Sequence, residues 1–333
     1  MTAPLLQARN LSVDLFTVRS ALRPVDDVSY SVGQGETLAI VGESGSGKTV
    51  LNFAPIGLMP TGVVTDLHGS LRFEDIELVG LPAARMRRIR GGRIGTIFQD
   101  PMSALNPALR IGRQIAEVAE LHLGMTSVQA EARALDLLKL VRMSDPESRL
   151  RQYPHELSGG LRQRAMIAIA VAAEPKLLIA DEPTTALDVT VQAQIIALLK
   201  DLQKRLDTAI VLITHDMGVV ASIASKVAVM YAGRIVEYGS VDQVLLEPRH
   251  PYSTGLIAAL PRPEDKAGTL FRGLPGAPPI MGAPQPGCPF APRCPLVVDY
   301  CTDVRPPLAP APTGSAAACH VVNDVPHREM AHA

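Results

Sequence analysis

A glycine-rich octapeptide that directly follows a short apolar run constrains this chain more than any other feature. The run is TLAIV, residues 37–41, and the octapeptide is GESGSGKT, residues 42–49. The octapeptide matches the phosphate-loop pattern G-x-x-x-x-G-K-[ST] at every fixed position. Since a short apolar run of this kind is typical of a buried parallel strand, we predict a strand, a phosphate loop and a helix in succession.

The residue types of the phosphate loop (residues 42–49) suit the binding of a nucleoside triphosphate. Its glycines allow backbone N–H groups to converge on phosphate oxygens, and the following helix directs its positive end at the same charge. Lys48 is expected to reach the β- and γ-phosphates, and Thr49 to bind Mg²⁺. The predicted nucleotide-binding residues of the loop are Gly42, Ser44, Gly45, Ser46, Gly47, Lys48 and Thr49.

Two later apolar runs end in polar residues that suit the same site. Residues 176–180 lead into Asp181 and Glu182, and residues 209–213 lead to His215. In a chain with a phosphate loop, an acid at a strand end is typical of a Mg²⁺ ligand, which we predict for Asp181. Glu182 is then placed to orient or deprotonate an attacking water, and His215 to contact the γ-phosphate. Together these runs predict an α/β ATPase core with a parallel sheet.

Composition and charge argue against several other classes of protein. The 333 residues are 47% hydrophobic and 20% charged, which is ordinary for a globular protein. A net charge of -1 gives no basic field that would attract nucleic acid. The N-terminus lacks the pattern of a secretory signal, and no apolar run of about eighteen residues occurs. We therefore expect a soluble, cytoplasmic protein.

A second glycine-containing segment, ELSGGLRQR at residues 156–164, precedes the apolar residues 165–171. This is the pattern of a capped helix N-terminus, which again suits an anion. A simple helix cap is the alternative interpretation. A second phosphate-binding segment beside a single phosphate loop is explained if it serves a nucleotide held mainly by another subunit.

The order of these motifs resembles that of the ATP-binding-cassette (ABC) ATPases. In that family two cassettes dimerise head to tail, and each ATP lies between the phosphate loop of one cassette and the signature segment of the other. The resemblance implies an antiparallel β subdomain and a helical signature subdomain beside the core. The motifs are the phosphate loop, Gln99 after the apolar residues 94–98, the signature segment at 157–161, the acidic pair, ALD at 186–188, and His215.

The same resemblance implies roles for further residues. Gln99 is expected to bind Mg²⁺ and to sense a transmembrane subunit, and Asp188 to link the two nucleotide sites across the dimer. Phe16 is the candidate for the aromatic residue that stacks on adenine, with Leu15 as the alternative for that position. The residues of the signature segment that would contact the partner's γ-phosphate are Ser158, Gly159 and Gly160.

A closer resemblance is carried by residues 157–195, by HPYS at 250–253, and by residues 273–294. These resemble the ATPases of dipeptide/oligopeptide/nickel importers, specifically the D-type subunit of a D/F pair. The resemblance implies an ATPase subunit, using ATP and Mg²⁺, on the cytoplasmic face of a bacterial inner or plasma membrane. Implied partners are a distinct F-type ATPase subunit, two transmembrane permeases and an extracytoplasmic substrate-binding protein.

Several alternatives remain open at this level. Peptides are the expected cargo, while nickel, oligosaccharides or other solutes are carried by related systems. A nucleic-acid-handling ABC ATPase is the rival class, disfavoured by the single phosphate loop, the absence of sustained heptads and the net charge. A cassette that binds ATP without hydrolysing it is disfavoured by Glu182 and His215.

The C-terminal part of the chain differs in composition. Of 28 prolines, 15 lie between residues 261 and 326, which predicts a nucleotide-binding domain at 1–255 and a loop-rich extension at 256–333. The helical subdomain is expected at about 100–170, where Thr126 and Gln129 form a predicted capping box. An extension that buries little apolar area needs a further stabilising element, such as a bound metal or a disulfide. All four cysteines lie within it: Cys288, Cys294, Cys301 and Cys319.

The cysteines allow several interpretations. Disulfides are disfavoured in the cytoplasm. Zinc ligands usually come in closer pairs than these, whereas an iron–sulfur cluster tolerates wider spacing. The importer resemblance implies a [4Fe-4S] site at the four cysteines, with zinc or an unmetallated extension as the alternatives. His320 is a spare ligand candidate, although we expect it to face solvent.

Overall fold

The computed structural model of the protein describes residues 3–17, 21–260, 274–279, 286–312 and 314–323. These residues form two sheets. The strands are β1 (Leu6–Phe16), β2 (Ala21–Val32), β3 (Thr37–Val41), β4 (Val64–Phe73), β5 (Ile76–Glu77), β6 (Ile94–Ile97), β7 (Leu177–Asp181), β8 (Ala209–Thr214), β9 (Lys226–Tyr231), β10 (Arg234–Ser240), β11 (Ala309–Pro310) and β12 (Ala316–Ala317).

The helices lie mainly between the strands of the larger sheet. They are α1 (Lys48–Phe53), α2 (Ala83–Ile89), α3 (Pro101–Ala104), α4 (Ile111–Leu123), α5 (Ser127–Leu140), α6 (Pro146–Arg149), α7 (Gly159–Ala170), α8 (Val189–Leu206), α9 (Met217–Ile223), α10 (Val241–Leu246), α11 (Pro251–Ala258) and α12 (Tyr300–Asp303), with 3₁₀ turns at Pro154–Glu156 and Ala291–Arg293. Within the described ranges, every helix is too short or too polar to span a bilayer.

The larger sheet has the strand order β11-β12-β10-β9-β3-β8-β7-β6. Strands β6 to β9 and β3 run parallel, while β10 and the two short C-terminal strands pair antiparallel. All residues of β3, β7 and β8 are buried, which explains why these strands are continuous apolar runs in the sequence. The predicted strands at 37–41, 94–98, 176–180 and 209–213 are confirmed to within one residue at each end.

The smaller sheet is antiparallel, with the order β2-β1-β4-β5. Alternating buried side chains of β1 and β2, among them Leu11, Val13, Val25 and Val28, join the core that lies against β3. The sheet therefore packs beside the phosphate loop, as the ABC resemblance implied. The fold class expected from the sequence, a P-loop ABC ATPase core with an antiparallel β subdomain, is confirmed.

Between β6 and β7 the described chain is helical, from α3 to α7. Helices α4, α5 and α7 pack together around a core of small and branched apolar side chains. The predicted capping box is present at the start of α5: the Thr126 N–H donates to Gln129 Oε1 at 2.9 Å, and the Gln129 N–H to Thr126 Oγ1 at 3.4 Å. This region presents the signature segment at the start of α7.

The C-terminal extension is attached to the edge of the larger sheet. Strand β12 pairs with β10, with Glu237 opposite Ala317 and Tyr238 opposite Ala316. Further along, Phe290 is fully buried and packs on Tyr231 and Tyr252, with ring centroids 5.3 and 5.5 Å apart. The loop-rich extension thus shares a core with the sheet that carries the phosphate loop.

Candidate nucleotide-binding site

The phosphate loop follows β3 in the middle of the larger sheet and leads directly into α1. Gly42 and Gly47 have φ angles of 155° and 100°, and a Cβ at either position would collide with a carbonyl oxygen, of Met230 or Pro24 respectively. Only glycine permits this close approach of backbone to backbone. Ser44 and Gly45 lie exposed at the tip of the loop, whereas Ser46 is buried. The loop is therefore fixed at its base and open at its tip.

Lys48 folds back into the loop. Its Nζ donates to the carbonyl oxygens of Gly42 at 2.8 Å and Glu43 at 2.9 Å, and the residue is 6% exposed. Burial lowers the pKa of Lys48, and the nearby negative charges of Glu182 and Asp181 oppose that shift. The ammonium is therefore held at the positive end of α1, where a polyphosphate would be bound.

Thr49 and Asp181 bring two oxygen ligands together from distant parts of the chain. Thr49 Oγ1 donates to Asp181 Oδ2 at 2.9 Å, across 132 residues of sequence. Burial raises the pKa of Asp181, and the hydrogen bond from Thr49 partly offsets that rise. A hydroxyl and a carboxylate at the end of the phosphate loop fit the oxygen ligands that Mg²⁺ prefers.

Glu182 accepts hydrogen bonds from three sides. Gln99 Nε2 and Thr185 Oγ1 donate to its Oε2 at 2.9 and 2.8 Å, and His215 Nδ1 lies 3.0 Å from Oε1. Burial opposes ionisation of this carboxyl, but the hydrogen bonds from His215 and Thr185 outweigh it and lower its pKa. The lowered pKa favours the ionised form of this carboxyl.

The backbone at Glu182 is itself constrained. Its φ of 43° lies in the left-handed region, which a non-glycine residue adopts at a cost of about 1–3 kcal/mol. A hydrogen bond from its N–H to Ile213 O at 2.9 Å holds the residue against β8. This strain at the end of β7 aims the side chain across the sheet edge, toward His215 at the end of β8.

Comparison with known proteins identifies the family. Residues 25–185 match the ABC transporter family, and residues 236–301 match the C-terminal region of oligopeptide/dipeptide transporters. The oligopeptide transport ATP-binding protein OppD of Bacillus subtilis (strain 168) is 48% identical over 304 residues, which are 91% of this chain and 85% of that protein. OppD of Escherichia coli (strain K12) is 46% identical over 315 residues, 95% of this chain and 92% of that protein. The chain belongs to the ABC transporter ATP-binding proteins.

Solved ABC cassettes share the fold of this ABC ATPase. A dimeric cassette, MJ0796, in a post-hydrolysis state bound to ADP and Pi, is 27% identical with a TM-score of 0.62, covering 71% of this chain and 98% of that one. The cassette cbiO1 of Clostridium perfringens is 26% identical with a TM-score of 0.61, covering 74% and 92%. Family and fold together make the chain an ATPase that hydrolyses ATP for transport.

Other residues predicted for the ATPase site lie apart from the phosphate loop. Ser158 is the N-cap of α7 but makes no side-chain cap hydrogen bond, and it and Gly159 are exposed while Gly160 is half-buried. Asp188 is the N-cap of α8 and accepts from the Val191 N–H at 2.9 Å. Among the described residues, no hydrogen bond or ion pair joins the starts of α7 and α8 to the phosphate loop.

The predicted adenine-stacking residue lies at the end of β1, where Phe16 is 43% exposed and Leu15 is half-buried. Sequence analysis missed Thr185, which donates to Glu182. The signal was present, since a hydroxyl three residues after an acid, in a turn that begins with Pro183, is placed to reach back to that acid.

The four cysteines line one small cavity in this ABC ATPase, together with His250 and Phe290. All are free thiols, and burial raises the pKa of Cys288 to about 11. In the described ranges no group of three or more His, Cys, Asp or Glu side chains has an arrangement that could hold a metal ion. The structure therefore gives no support to the expected [4Fe-4S] cluster at Cys288, Cys294, Cys301 and Cys319.

The expectation that His320 faces solvent is wrong. The residue is 3% exposed, its Nε2 lies 2.9 Å from the carbonyl oxygen of Val304, and its ring packs on Tyr300 with centroids 4.7 Å apart. The extension folds back on itself here, so a polar residue that follows Cys319 in sequence becomes part of the packing around the thiols.

Proposed function

We propose that this cassette is the ATP-hydrolysing subunit of a bacterial importer for di- and oligopeptides, attached to the cytoplasmic face of the membrane. The observation that carries the hydrolytic part is the position of the Glu182 carboxyl, which is held by Gln99, Thr185 and His215 beside the Thr49–Asp181 pair. The peptide part rests on the similarity to OppD over most of the chain.

The geometry suggests how the chain's own residues act. Lys48 and the backbone of the phosphate loop would bind the β- and γ-phosphates. Thr49 and Asp181 would hold Mg²⁺, whose charge offsets the charge that develops on the transferred phosphoryl group. Glu182 would accept the proton of the attacking water, and His215 would hold Glu182 and contact the γ-phosphate.

Gln99 orients Glu182 in the structure, whereas the sequence predicts that it binds Mg²⁺ and senses the permease. Its amide donates to Glu182 at 2.9 Å, so in this conformation it orients the predicted base. A role as Mg²⁺ ligand and sensor of the permease stays a prediction, and it is compatible with the position of Gln99 between β6 and α3, where the helical region begins. A movement of that region would then shift Glu182 as well.

The exposed signature segment supports a second ATPase subunit. Ser158, Gly159 and Gly160 would contact the γ-phosphate of a nucleotide bound to the partner cassette, and Asp188 would lie near the two-site interface. The dimeric state of the MJ0796 cassette is consistent with this arrangement. That the partner is a distinct F-type subunit stays a prediction, as do the two permeases, the substrate-binding protein and the adenine contact of Phe16.

The experiment that tests the proposal is reconstitution. The chain is co-expressed with permease subunits from the same organism, reconstituted in vesicles with a substrate-binding protein from that organism, and assayed for ATP-dependent uptake of labelled di- and oligopeptides. Uptake of peptides that stops when Lys48→Ala replaces the wild-type chain supports the proposal. Uptake of nickel or an oligosaccharide instead would assign another cargo, and co-purifying nucleic acid without permeases would contradict an importer.

The iron–sulfur cluster and the domain boundary stay predictions. What supports the cluster is that four thiols line one cavity, as the importer resemblance implied; against it stands the arrangement of these side chains, which could not hold a metal as placed. Iron and acid-labile sulfide analysis after anaerobic purification decides between a cluster, zinc and free thiols. Limited proteolysis tests the boundary between 1–255 and 256–333.

A further inference from the structure

The segment that carries three of the cysteines also reaches the phosphate loop, through Arg293. This residue directly precedes Cys294, and its guanidinium donates to both carboxylate oxygens of Glu43, the second residue of the phosphate loop. The two distances are 2.7 Å from Nη1 to Oε2 and 3.0 Å from Nη2 to Oε1. The side chain of Arg293 is 5% exposed and that of Glu43 is 24% exposed. The pair is therefore bidentate and largely shielded from water.

Arg293 is itself held in one position. Its Nε donates to Pro275 O at 2.7 Å and its Nη1 contacts the Tyr231 hydroxyl at 3.3 Å. Its guanidinium also lies within 5.9 Å of the Phe290 ring centroid and 5.7 Å of that of Tyr231. These contacts fix the position of the guanidinium. It locates the carboxylate with which it pairs.

Glu43 is held at its backbone as well as at its side chain. Its N–H donates to the Tyr252 hydroxyl at 2.8 Å, and Tyr252 belongs to α11, at the entrance to the C-terminal extension. The carbonyl oxygen of the same residue accepts from Lys48 Nζ at 2.9 Å. A continuous set of contacts therefore runs from Arg293 through Glu43 to the lysine predicted to bind the phosphates.

We propose that Arg293 is a positioning residue for the nucleotide site. Through Glu43 it holds the phosphate loop in the conformation that receives MgATP. The affinity for nucleotide therefore depends on the docking of the cysteine-bearing segment. The inference goes beyond the transport function, because it assigns a task in the ATPase site to a residue 250 positions away from its partner in sequence. Loss of one member of a shielded charge pair leaves the other uncompensated, so the loop would relax when Arg293 is removed.

A purely structural role for Arg293 would have a different signature from a positioning role. Arg249 offers a matched comparison, since it also anchors the extension: its Nη2 donates to Asn323 Oδ1 at 3.0 Å. Within the described ranges it makes no hydrogen bond to the phosphate loop. If Arg293 only anchored the extension, Arg293→Ala and Arg249→Ala would both lower the melting temperature and leave MgATP binding unchanged. If it positions the loop, only Arg293→Ala would weaken MgATP binding.

The test uses the full-length chain for binding and the reconstituted importer for hydrolysis. For Arg293→Ala we expect the Kd and KM for MgATP to rise about tenfold, with kcat changed less than about twofold, since only binding depends on the loop position. Arg293→Lys is expected to recover part of the affinity, because a point charge replaces a bidentate fork. Arg249→Ala is the control and is expected to leave Kd unchanged.

A double-variant cycle shows whether the effect passes through Glu43. Glu43→Gln is expected to raise the Kd for MgATP, and adding Arg293→Ala to it should cause little further loss. A Kd unaffected by Arg293→Ala, or additive losses in the cycle, would overturn the inference. If Arg293→Ala fails to fold, Glu43→Gln and Arg293→Lys decide the matter by the same Kd. A wild-type chain that binds MgATP but hydrolyses none in the importer would instead contradict the proposed function.

Discussion

The phosphate loop and the signature segment have similar local sequences, but their own chain holds them differently. Each is a Ser/Gly segment at the start of a helix, α1 or α7, and each offers backbone N–H groups to an anion. The base of the phosphate loop is held by its own chain, with Lys48 on loop carbonyls and Glu43 on Arg293, while Ser44 and Gly45 at its tip are exposed. The signature segment has Ser158 and Gly159 exposed. Under the proposed function, one chain would supply one half-site held by its own contacts and one half-site that is open to a partner.

Under the proposed function, hydrolysis depends on the half-site that contains the phosphate loop, and Glu182→Gln tests this dependence with the largest expected effect. Loss of a general base lowers rates by about 10²–10⁴-fold, and we expect a loss in that range for phosphate release by the reconstituted importer. MgATP binding by the full-length chain should persist, because the phosphate contacts remain. The exposed Glu131→Gln on α5 is the matched control. ATPase activity that survives Glu182→Gln would remove Glu182 from the mechanism.

The open half-site should fail in a different way. Ser158→Arg places a long side chain where the partner's γ-phosphate is expected, so we predict unchanged MgATP Kd for the isolated chain. In the reconstituted importer, hydrolysis should fall by about tenfold or more, because dimer closure is impaired. Ser148→Arg, exposed on α6 of the same helical region, is the control. If Ser158→Arg weakened nucleotide binding by the isolated chain, the assignment of the two half-sites to different subunits would be wrong.

A smaller effect is expected from Thr185, which the sequence analysis missed. Its hydroxyl helps to lower the pKa of Glu182, so Thr185→Ala should raise that pKa. Because a proposed general base acts in its ionised form, the acid limb of the pH–rate profile should move to higher pH. At neutral pH the carboxylate stays ionised in both chains, so we expect the rate there to change by less than about twofold. An unshifted acid limb would show that this hydrogen bond does not set the pKa of Glu182. Thr184→Ala, one residue earlier, is the control.

The parts of the site that sequence analysis predicted share a physical reason. Strands β3, β7 and β8 are buried on both faces, so each appears as an uninterrupted apolar run, and polar residues immediately after such runs must lie at one sheet edge. Asp181, Glu182 and His215 could therefore be placed near Lys48 without coordinates. Their identity as one site needed only local patterns and the rule for parallel strands.

The contacts that sequence analysis did not find depend on long separations without periodicity. Arg293 meets Glu43 across 250 residues, and nothing in either local sequence marks the partner. His320 was expected in solvent because no pattern indicated that the extension returns to pack it on Tyr300. The cysteines were recognised as a set, whereas their shared cavity with His250 depends on how the extension folds against the core.

The smallest expected effect is a change in protein stability without a change in nucleotide binding, in a helix that packs on α7. Thr126→Ala removes the capping box of α5, which costs about 1 kcal/mol and lowers the melting temperature by a few degrees. Since α5 packs on α7 and, in the part of the chain that the structure describes, makes no hydrogen bond to the phosphate loop, the Kd for MgATP should stay unchanged. Ser127→Ala, in the same turn, is the control for calorimetry. A change in Kd with Thr126→Ala would mean that the helical region and the phosphate loop are coupled within one chain. The two half-sites would then differ less than the contacts that hold them indicate.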